Sequence, residues 1–239
     1  MKIAICLLIK DENEYLDEWL NHHRDLGFNH FYIYDNHSAI PVAVTLKGQQ
    51  DVSIKLWDDQ VRGTQVDAYN DCCQLNQDND FILFLDTDEF IMIDTRFKSI
   101  QQMVEYLQYA HGKISAIGIY WRIYGKTNPY FSTRQPVTAY TQYLKHTHIK
   151  TLANPREVIR FLNPHYACIK GNYISETGRK ILGPFSEYHS SDLIWIKHLF
   201  TRSKEEFKEK ILRGSGDKVN REYNLSHFYY YNDHCNLSD

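Results

Sequence analysis

Three acidic side chains, Asp86, Asp88 and Glu89, fall within four positions directly after the apolar run Phe81-Ile82-Leu83-Phe84-Leu85. One residue separates Asp86 from Asp88, so an extended segment would point both carboxylates to the same side. Two hard oxygen donors on one side suit Mg²⁺ or Mn²⁺ carrying a substrate diphosphate. An isolated Asp-X-Asp is equally consistent with a solvated acidic turn, so the surrounding chain has to decide. Lys150, Arg202 and Arg213 are the basic groups considered for a phosphate partner, with ordinary solvated charges as the alternative. Ser203 reads as a helix N-cap, and Glu206 three residues on completes a capping box. Arg202 therefore stands beside helix N-terminal amides, which favour anions. His198, shortly before that helix, is a candidate for metal or phosphate contact.

These groups need elements to hold them. Five consecutive apolar residues before Asp86 read as a strand buried on both faces, and open parallel α/β sheets bind ligands at the C-terminal edges of such strands. Further strands are expected at 3–9, 31–34 and 52–56. A helix with Leu16, Trp19, Leu20, His23 and Leu26 at helical spacing stops at Gly27, and another runs from about Thr64 to Leu75. This alternation predicts a mostly parallel sheet with flanking helices. Its rim would carry Lys10–Glu12, Asp35–Ser38, Asp58 and Asp86–Glu89. After Asp94 the reading is a helix over 97–109, a strand over 114–124 interrupted by Gly118, a loop over 126–136, and short strands to Phe161. A loop over 171–191, the Ser203 helix ending at Gly214, and a polar-aromatic tail with no assigned element complete the chain.

The chain has 239 residues, a net charge of −3 and 43% hydrophobic residues, an ordinary soluble composition with no basic nucleic-acid surface. Aromatic content is 14%, with 18 Tyr, which suits stacking on sugar and base faces. The five Cys form no Cys-X-X-Cys pair, which reads as reduced thiols in a cytoplasmic chain. No stretch reaches the ~18 apolar residues of a membrane span. Membrane contact, where it occurs, is therefore expected to be peripheral, at the inner membrane face.

In order along the chain, several blocks resemble glycosyltransferase family 92 and its bacterial family-2-like relatives. Lys10-Asp11-Glu12-Asn13-Glu14-Tyr15-Leu16-Asp17-Glu18-Trp19-Leu20, His23, Gly27 and Phe31 to Ser38 resemble the family's opening. Asp86-Thr87-Asp88-Glu89-Phe90 matches its Asp-X-Asp-Glu-Phe, and Trp121 to Gly125 its Trp-X-X-Phe/Tyr-Gly. Lys150-Thr151-Leu152-Ala153-Asn154-Pro155 with His165, and His198 to Gly214, resemble its later blocks. This chain departs at Lys197, Leu199 and Arg202, where the family pattern has Asn, Tyr and Lys. The resemblance covers roughly residues 1 to 214. It implies a GT-A fold and transfer of a hexose, of galactose type and with inversion, from a UDP-sugar to a glycan or glycolipid acceptor. It further implies Asp88 on the metal, Asp86 at ribose or metal-bound water, and Asp35 and Asn36 near the nucleoside. Asp58 and Gln65 are further donor-site candidates. The family's bacterial branch suggests polysaccharide or lipooligosaccharide synthesis.

An inverting transfer needs a base to take the acceptor hydroxyl proton. Glu157, His165, Glu176, Glu187 and Asp192 all qualify by position. Glu176 is preferred because it sits in the expected acceptor loop, with His165 the second choice. The chain is expected to be a single domain over 1–239, with 1–94 as nucleotide-sugar half and 95–239 as acceptor half. Two other classes compete: a nucleotidyltransferase acting on a sugar phosphate, and a non-catalytic sugar-binding relative. The first usually carries a Gly-rich phosphate loop near its N-terminus, whereas the turn Lys10-Asp11-Glu12-Asn13 contains no Gly.

Overall fold

Alternation in the first strand already dictates a sheet covered on both sides. In β1 (Ile3–Ile9), Ile3, Ile5, Leu7 and Ile9 pack into one core, while Ala4 and Cys6 pack into another. The same split recurs in β4 (Phe81–Leu85), all five residues of which are buried. Each fully buried Leu, Ile or Phe stabilises the fold by about 1.5–3 kcal/mol. The structure, a computed structural model, describes residues 1–57, 64–125, 134–187, 190–213 and 223–238, except the side chains of Thr64 and Arg213.

Between these strands lie α1 (Leu16–Asp25), β2 (His30–Asp35), α2 (Val42–Thr45), β3 (Val52–Leu56) and α3 (Thr64–Leu75). Strands β3, β2, β1 and β4 are neighbours in that order, all parallel. Gly27 ends α1 at φ +92°, a conformation open to glycine at little cost. Helix α3 lays Ala68, Tyr69 and Cys72 on the second core, the face its spacing predicts.

The rest of the sheet is mixed. It uses β5 (Glu89–Ile93), α4 (Ile100–His111), β6 (Ala116–Gly125) and β7 (Gln142–Ala153). A small hairpin, β8 (Val158–Asn163) with β9 (Tyr166–Ile169), packs aside. Then come β10 (Tyr173–Ile174), β11 (Ile194–His198), α5 (Lys204–Arg213), α6 (Leu225–His234) and β12 (Leu237–Ser238). Beyond β4 the order is β7, β6, β11, β5, with β7 antiparallel to both neighbours. Strand β11 runs parallel to β6 and antiparallel to β5. The architecture is a mixed α/β sheet with flanking helices, in agreement with the GT-A expectation.

Several local expectations need correction. Helix α4 starts at Ile100, because Ser99 caps it by accepting from the Gln102 amide. Gly118 lies inside β6 and does not interrupt it; a Cβ there would lie 2.8 Å from Ile181 Cγ1. Within 171–191, Tyr173–Ile174 join the sheet beside β6 and Ser175 and Glu176 are buried, so this part is not an open loop. The polar-aromatic tail forms α6, capped by Asn224. The expected loop residues 126–133 and the stop at Gly214 lie outside the described residues. The described cysteines form no disulfide. No helix among the described residues is long and apolar enough to cross a membrane.

Candidate active site

The acidic triplet sits in a tight turn between β4 and β5, closed by the Glu89 amide on the Asp86 carbonyl at 3.2 Å. An extended segment would have aimed Asp86 and Asp88 together. The turn instead gives them separate partners. Asp86 accepts from Lys150 Nζ at 2.8 Å and from Gln65 Nε2 at 2.5 Å. Lys150 is fully buried on β7, across the sheet, and also lies 3.3 Å from Glu89 Oε2. Burial alone would lower its pKa, but Asp86 and Glu89 push it above the usual lysine range, so it is an ammonium. Glu89 is fully buried; burial raises its carboxyl, against the pull of Lys150.

Asp88, 9% exposed, turns the other way. Its Oδ2 accepts from Lys210 Nζ at 2.8 Å and lies 3.5 Å from His198 Nε2. Burial would raise this carboxyl, but Lys210, His198 and Arg202 outweigh it and hold the group well below the usual carboxylate range. Burial depresses His198, against the pull of Asp88. The backbone explains the meeting: β11 ends at His198, opposite Glu89 of β5, and the Leu199 amide donates to the Asp88 carbonyl. The chain then turns through Arg202 at φ +46° into α5. The predicted capping box is present, with the Ser203 amide donating to Glu206 Oε2 and the Glu206 amide to Ser203 Oγ.

A cavity of about 400 Å³ opens in front of Asp88, between the turn after β1 and the start of α5. Its lining includes six carboxylates, Asp11, Glu12, Glu14, Asp88, Glu206 and Glu209, against two cations, Arg202 and Lys210. Arg202 lies over the Tyr15 ring at 3.3 Å and 3.9 Å from Glu12 Oε1. Glu12 Oε2 accepts from Thr87 at 2.5 Å, and Tyr15 donates to Glu206 at 2.9 Å. The turns after β1 and β4 and the entry to α5 are thus tied together around the cavity.

Among the described residues, no three His, Cys, Asp or Glu side chains are arranged to hold a metal ion by themselves. Asp88 and His198 supply one hard oxygen and one imidazole nitrogen, and the acid surplus of the cavity attracts a cation. Mg²⁺ and Mn²⁺ commonly take one or two protein ligands and complete their shell with water and substrate phosphates. The residues present fit such an ion. Asp86 is already held by Lys150 and Gln65.

The remaining candidates fall elsewhere. Asp35 is 3% exposed and its two oxygens accept from the Ser38 and Val42 amides, each at 2.9 Å. It organises the turn at the end of β2. Asn36 is buried and its amide continues the ladder to the Ile9 carbonyl at 2.8 Å. Asp58 lies outside the described residues, as does the side chain of Arg213. Glu176 is likewise engaged with the backbone. It is buried, accepts from the amides of Asp192, Leu193 and Ile194 and from Ser190 Oγ, and so pins the start of β11. That is the opposite end of β11 from His198, roughly 13 Å away at strand rise. A carboxylate buried under four donors cannot collect an acceptor proton. His165 is half-buried, with Nδ1 3.2 Å from the Ile149 carbonyl and its ring 5.1 Å from Trp121.

Lys210 is the site residue that the sequence reading does not single out. Lys210 reads as one more charge in Lys204-Glu-Glu-Phe-Lys-Glu-Lys. Its signal was the spacing: three residues after buried Phe207, it falls at the inward edge of the helix.

The chain is similar to several solved structures. S. aureus TarS residues 1–349 share 15% identity, with 56% of this chain and 40% of that one covered and a TM-score of 0.38. HddC from Yersinia pseudotuberculosis shares 8%, with 74% and 91% covered and a TM-score of 0.43. Glucosyl-3-phosphoglycerate synthase from Mycobacterium tuberculosis, in complex with Mn²⁺, uridine diphosphate and glucosyl-3-phosphoglycerate, shares 10%, with 66% and 58% covered and a TM-score of 0.36. The chain thus spans 40% of the length of the first and 58% of the third. No curated protein matches it. The family model for glycosyltransferase family 92 matches residues 2–212, nearly the whole chain with the acidic turn, Lys150, His198 and Lys210 inside it, and the chain belongs to that family.

Proposed function

We propose that this glycosyltransferase moves a hexose of galactose type from a UDP-sugar to a glycan or glycolipid acceptor, with inversion and with Mn²⁺ or Mg²⁺. The observation that carries the reading is Asp88. It is a buried carboxylate held ionised in the cavity lining, with the His198 imidazole 3.5 Å away. Asp88 and His198 would hold the ion, which when bound neutralises the diphosphate. Lys210 and Arg202 stand at the same cavity and stabilise charge on the departing diphosphate. Lys150 fixes Asp86, and Gln65 braces it from α3, so the acidic turn is preorganised.

For the base, the reading favours His165. A carbonyl can only accept, so the Ile149 contact makes Nδ1 the donor and leaves the lone pair on Nε2. An imidazole in that tautomer takes a proton at Nε2 from an acceptor hydroxyl. The reading places the enzyme in the cytoplasm, with any membrane contact peripheral and at the inner face, and in polysaccharide or lipooligosaccharide synthesis.

The test is release of UDP from a panel of UDP-sugars with Mn²⁺. Asp88→Asn should cut turnover by about 10²-fold or more, the scale for losing a principal charge-stabilising group. Full turnover in EDTA, or in Asp88→Asn, rejects the metal role. Pyrophosphate release from UTP and a sugar phosphate would support a nucleotidyltransferase instead.

A further inference from the structure

Lys210 already neutralises the carboxylate that a metal ion would use. Its Nζ donates to Asp88 Oδ2 at 2.8 Å and to the Phe200 carbonyl at 3.1 Å, and it lies 4.3 Å from the centre of the Phe200 ring. Two oxygens and an aromatic face around one point charge make a seat for a cation. The same Asp88 oxygen is the one 3.5 Å from His198 Nε2, so a single atom faces both the imidazole and the ammonium. The oxygens are fixed by the backbone. Phe200 lies on the turn between β11 and α5, and the Leu199 amide ties that turn to the Asp88 carbonyl at 2.8 Å. The ammonium instead reaches in from α5 on a flexible four-carbon stem.

Lys208, on the same helix, shows what an ordinary lysine does there. It is half-exposed and lies 3.8 Å from Glu205, one turn back, a pair that water screens. Lys210 differs in burial and in reach: its side chain is 21% exposed, that of Asp88 is 12% exposed, and the two residues are 122 positions apart. Both line the cavity. Asp88 Oδ2 cannot serve this ammonium and a divalent ion together, because the two cations repel at that separation. The ion has the stronger claim on a hard carboxylate oxygen, with twice the charge. Nor can the N–H that Lys210 gives to Asp88 also stabilise a departing diphosphate.

We propose that Lys210 and the divalent ion compete for the seat at Asp88, and that the ion, on binding, turns the ammonium out toward the diphosphate in the cavity. The inference rests on the Mn²⁺ or Mg²⁺ reading above. It gives Lys210 two successive partners, the carboxylate and then the phosphates. It also sets the apparent affinity for metal below what Asp88 and His198 would give without the lysine, since the ammonium has to be displaced first. Arg202 takes no part in the exchange, because Glu12 and the Tyr15 ring hold it on the other side of the cavity entrance.

The experiment uses the full chain and Mn²⁺ alone, without nucleotide, and reads two quantities besides activity. Electron paramagnetic resonance of free Mn²⁺ gives the Kd. Lys210→Met should bind Mn²⁺ about tenfold more tightly than the parent, whereas Lys210→Arg, which keeps a cation, should stay within about threefold of it. Loss of any positive charge near an acidic cavity favours a cation slightly, so Lys208→Met is the companion, expected to change the Kd by less than about twofold. The second readout is the rate at which sulfo-N-hydroxysuccinimide acetate acetylates Lys210, followed by peptide mass spectrometry. Saturating Mn²⁺ should raise that rate about fivefold or more in the parent. It should leave the rate at Lys208 unchanged, and have no effect on Lys210 in Asp88→Asn. Melting midpoints report that the variants are folded, and the labelling of the parent needs no variant. Mn²⁺ bound by the parent with the Lys210 rate unchanged, or an equal Kd in the parent and folded Lys210→Met, overturns the exchange and leaves the metal reading standing. No Mn²⁺ bound by either protein overturns both.

Discussion

Replacing Lys150 with methionine is the sharpest test of how the acidic turn is held. The lysine is fully buried, 2.8 Å from Asp86 and 3.3 Å from Glu89. Methionine matches the stem and deletes the ammonium, which leaves Glu89 buried with no cation. Breaking a buried ion pair from one side costs about 3–5 kcal/mol. At roughly 2–4 °C per kcal/mol for a chain of this size, the midpoint should fall by about 6–20 °C. The pH dependence has a definite sign. Burial already pushes Glu89 upward, and Lys150 pulls it back. Without Lys150 its folded pKa rises further above the unfolded value. A raised acid contributes stability that is complete below the unfolded pKa and is lost as pH rises through the folded one. The deficit of Lys150→Met against the parent should therefore grow from pH 5 to pH 8. Urea denaturation at both pH values measures it, with Lys150→Met/Glu89→Gln as the companion that should recover about 2 kcal/mol or more at pH 8. A single variant within about 0.5 kcal/mol of the parent at pH 8, the spread of surface substitutions, would refute the pairing. So would a deficit that shrinks as pH rises.

Two further outcomes follow from buried groups outside the acidic turn. His23 is fully buried, with Nδ1 donating to the Trp19 carbonyl and Nε2 accepting from the Ile91 amide, so its neutral tautomer is locked. Burial, with His22 beside it, holds it well below the usual histidine value. Its stabilising contribution is present above the unfolded value and is lost as pH falls below it, by about 1.4 kcal/mol one unit below ~6.5. His23→Gln should flatten that slope in thermal melts from pH 7 to 5.5, and an unaltered slope counts against the lock. Glu176→Gln turns an all-acceptor carboxylate into an amide facing three backbone N–H groups, and should cost about 3 kcal/mol. UDP release per folded molecule should stay within about twofold of the parent, whereas a base would lose on the order of 10²-fold or more.

Much of the N-terminal half was legible because its strands are buried on both faces. Runs such as Phe81–Leu85 and the even spacing of α1 and α3 carry their own signal. Strand β5 was not, since Glu89-Phe90-Ile91-Met92-Ile93 begins with a buried acid that reads as rim. The capping box at Ser203 was local chemistry and so was readable. Gln65 and Lys150 came from donor-site reasoning and do reach Asp86. The hydrogen-bond partners of Asp35 and Glu176 were hidden for one shared reason. A carboxylate in a polar stretch looks the same whether it awaits a substrate or collects backbone amides, and only the fold decides where the amides lie. The imidazoles around Trp121 depended on pairings between distant segments, β11 with β5 and β7 with β6, which no local pattern encodes.

The strand order also shapes how the chain must be made. Strand β4 borders β1 on one side, but its other neighbour is β7, which leaves the ribosome only after α4 and β6. Strand β5, synthesised immediately after β4, finds no place beside it and pairs with β11, nearly at the end of the chain. A nascent protein that has completed residues 1–94 therefore displays a fully apolar strand with one open edge and a second strand with no partner. Such edges recruit other chains. The two halves are consequently not cassettes. A fragment ending after β5 should be captured by chaperones or aggregate, and recombination between relatives should succeed in the surface connections rather than at the midpoint, where the two halves are stitched together by β7.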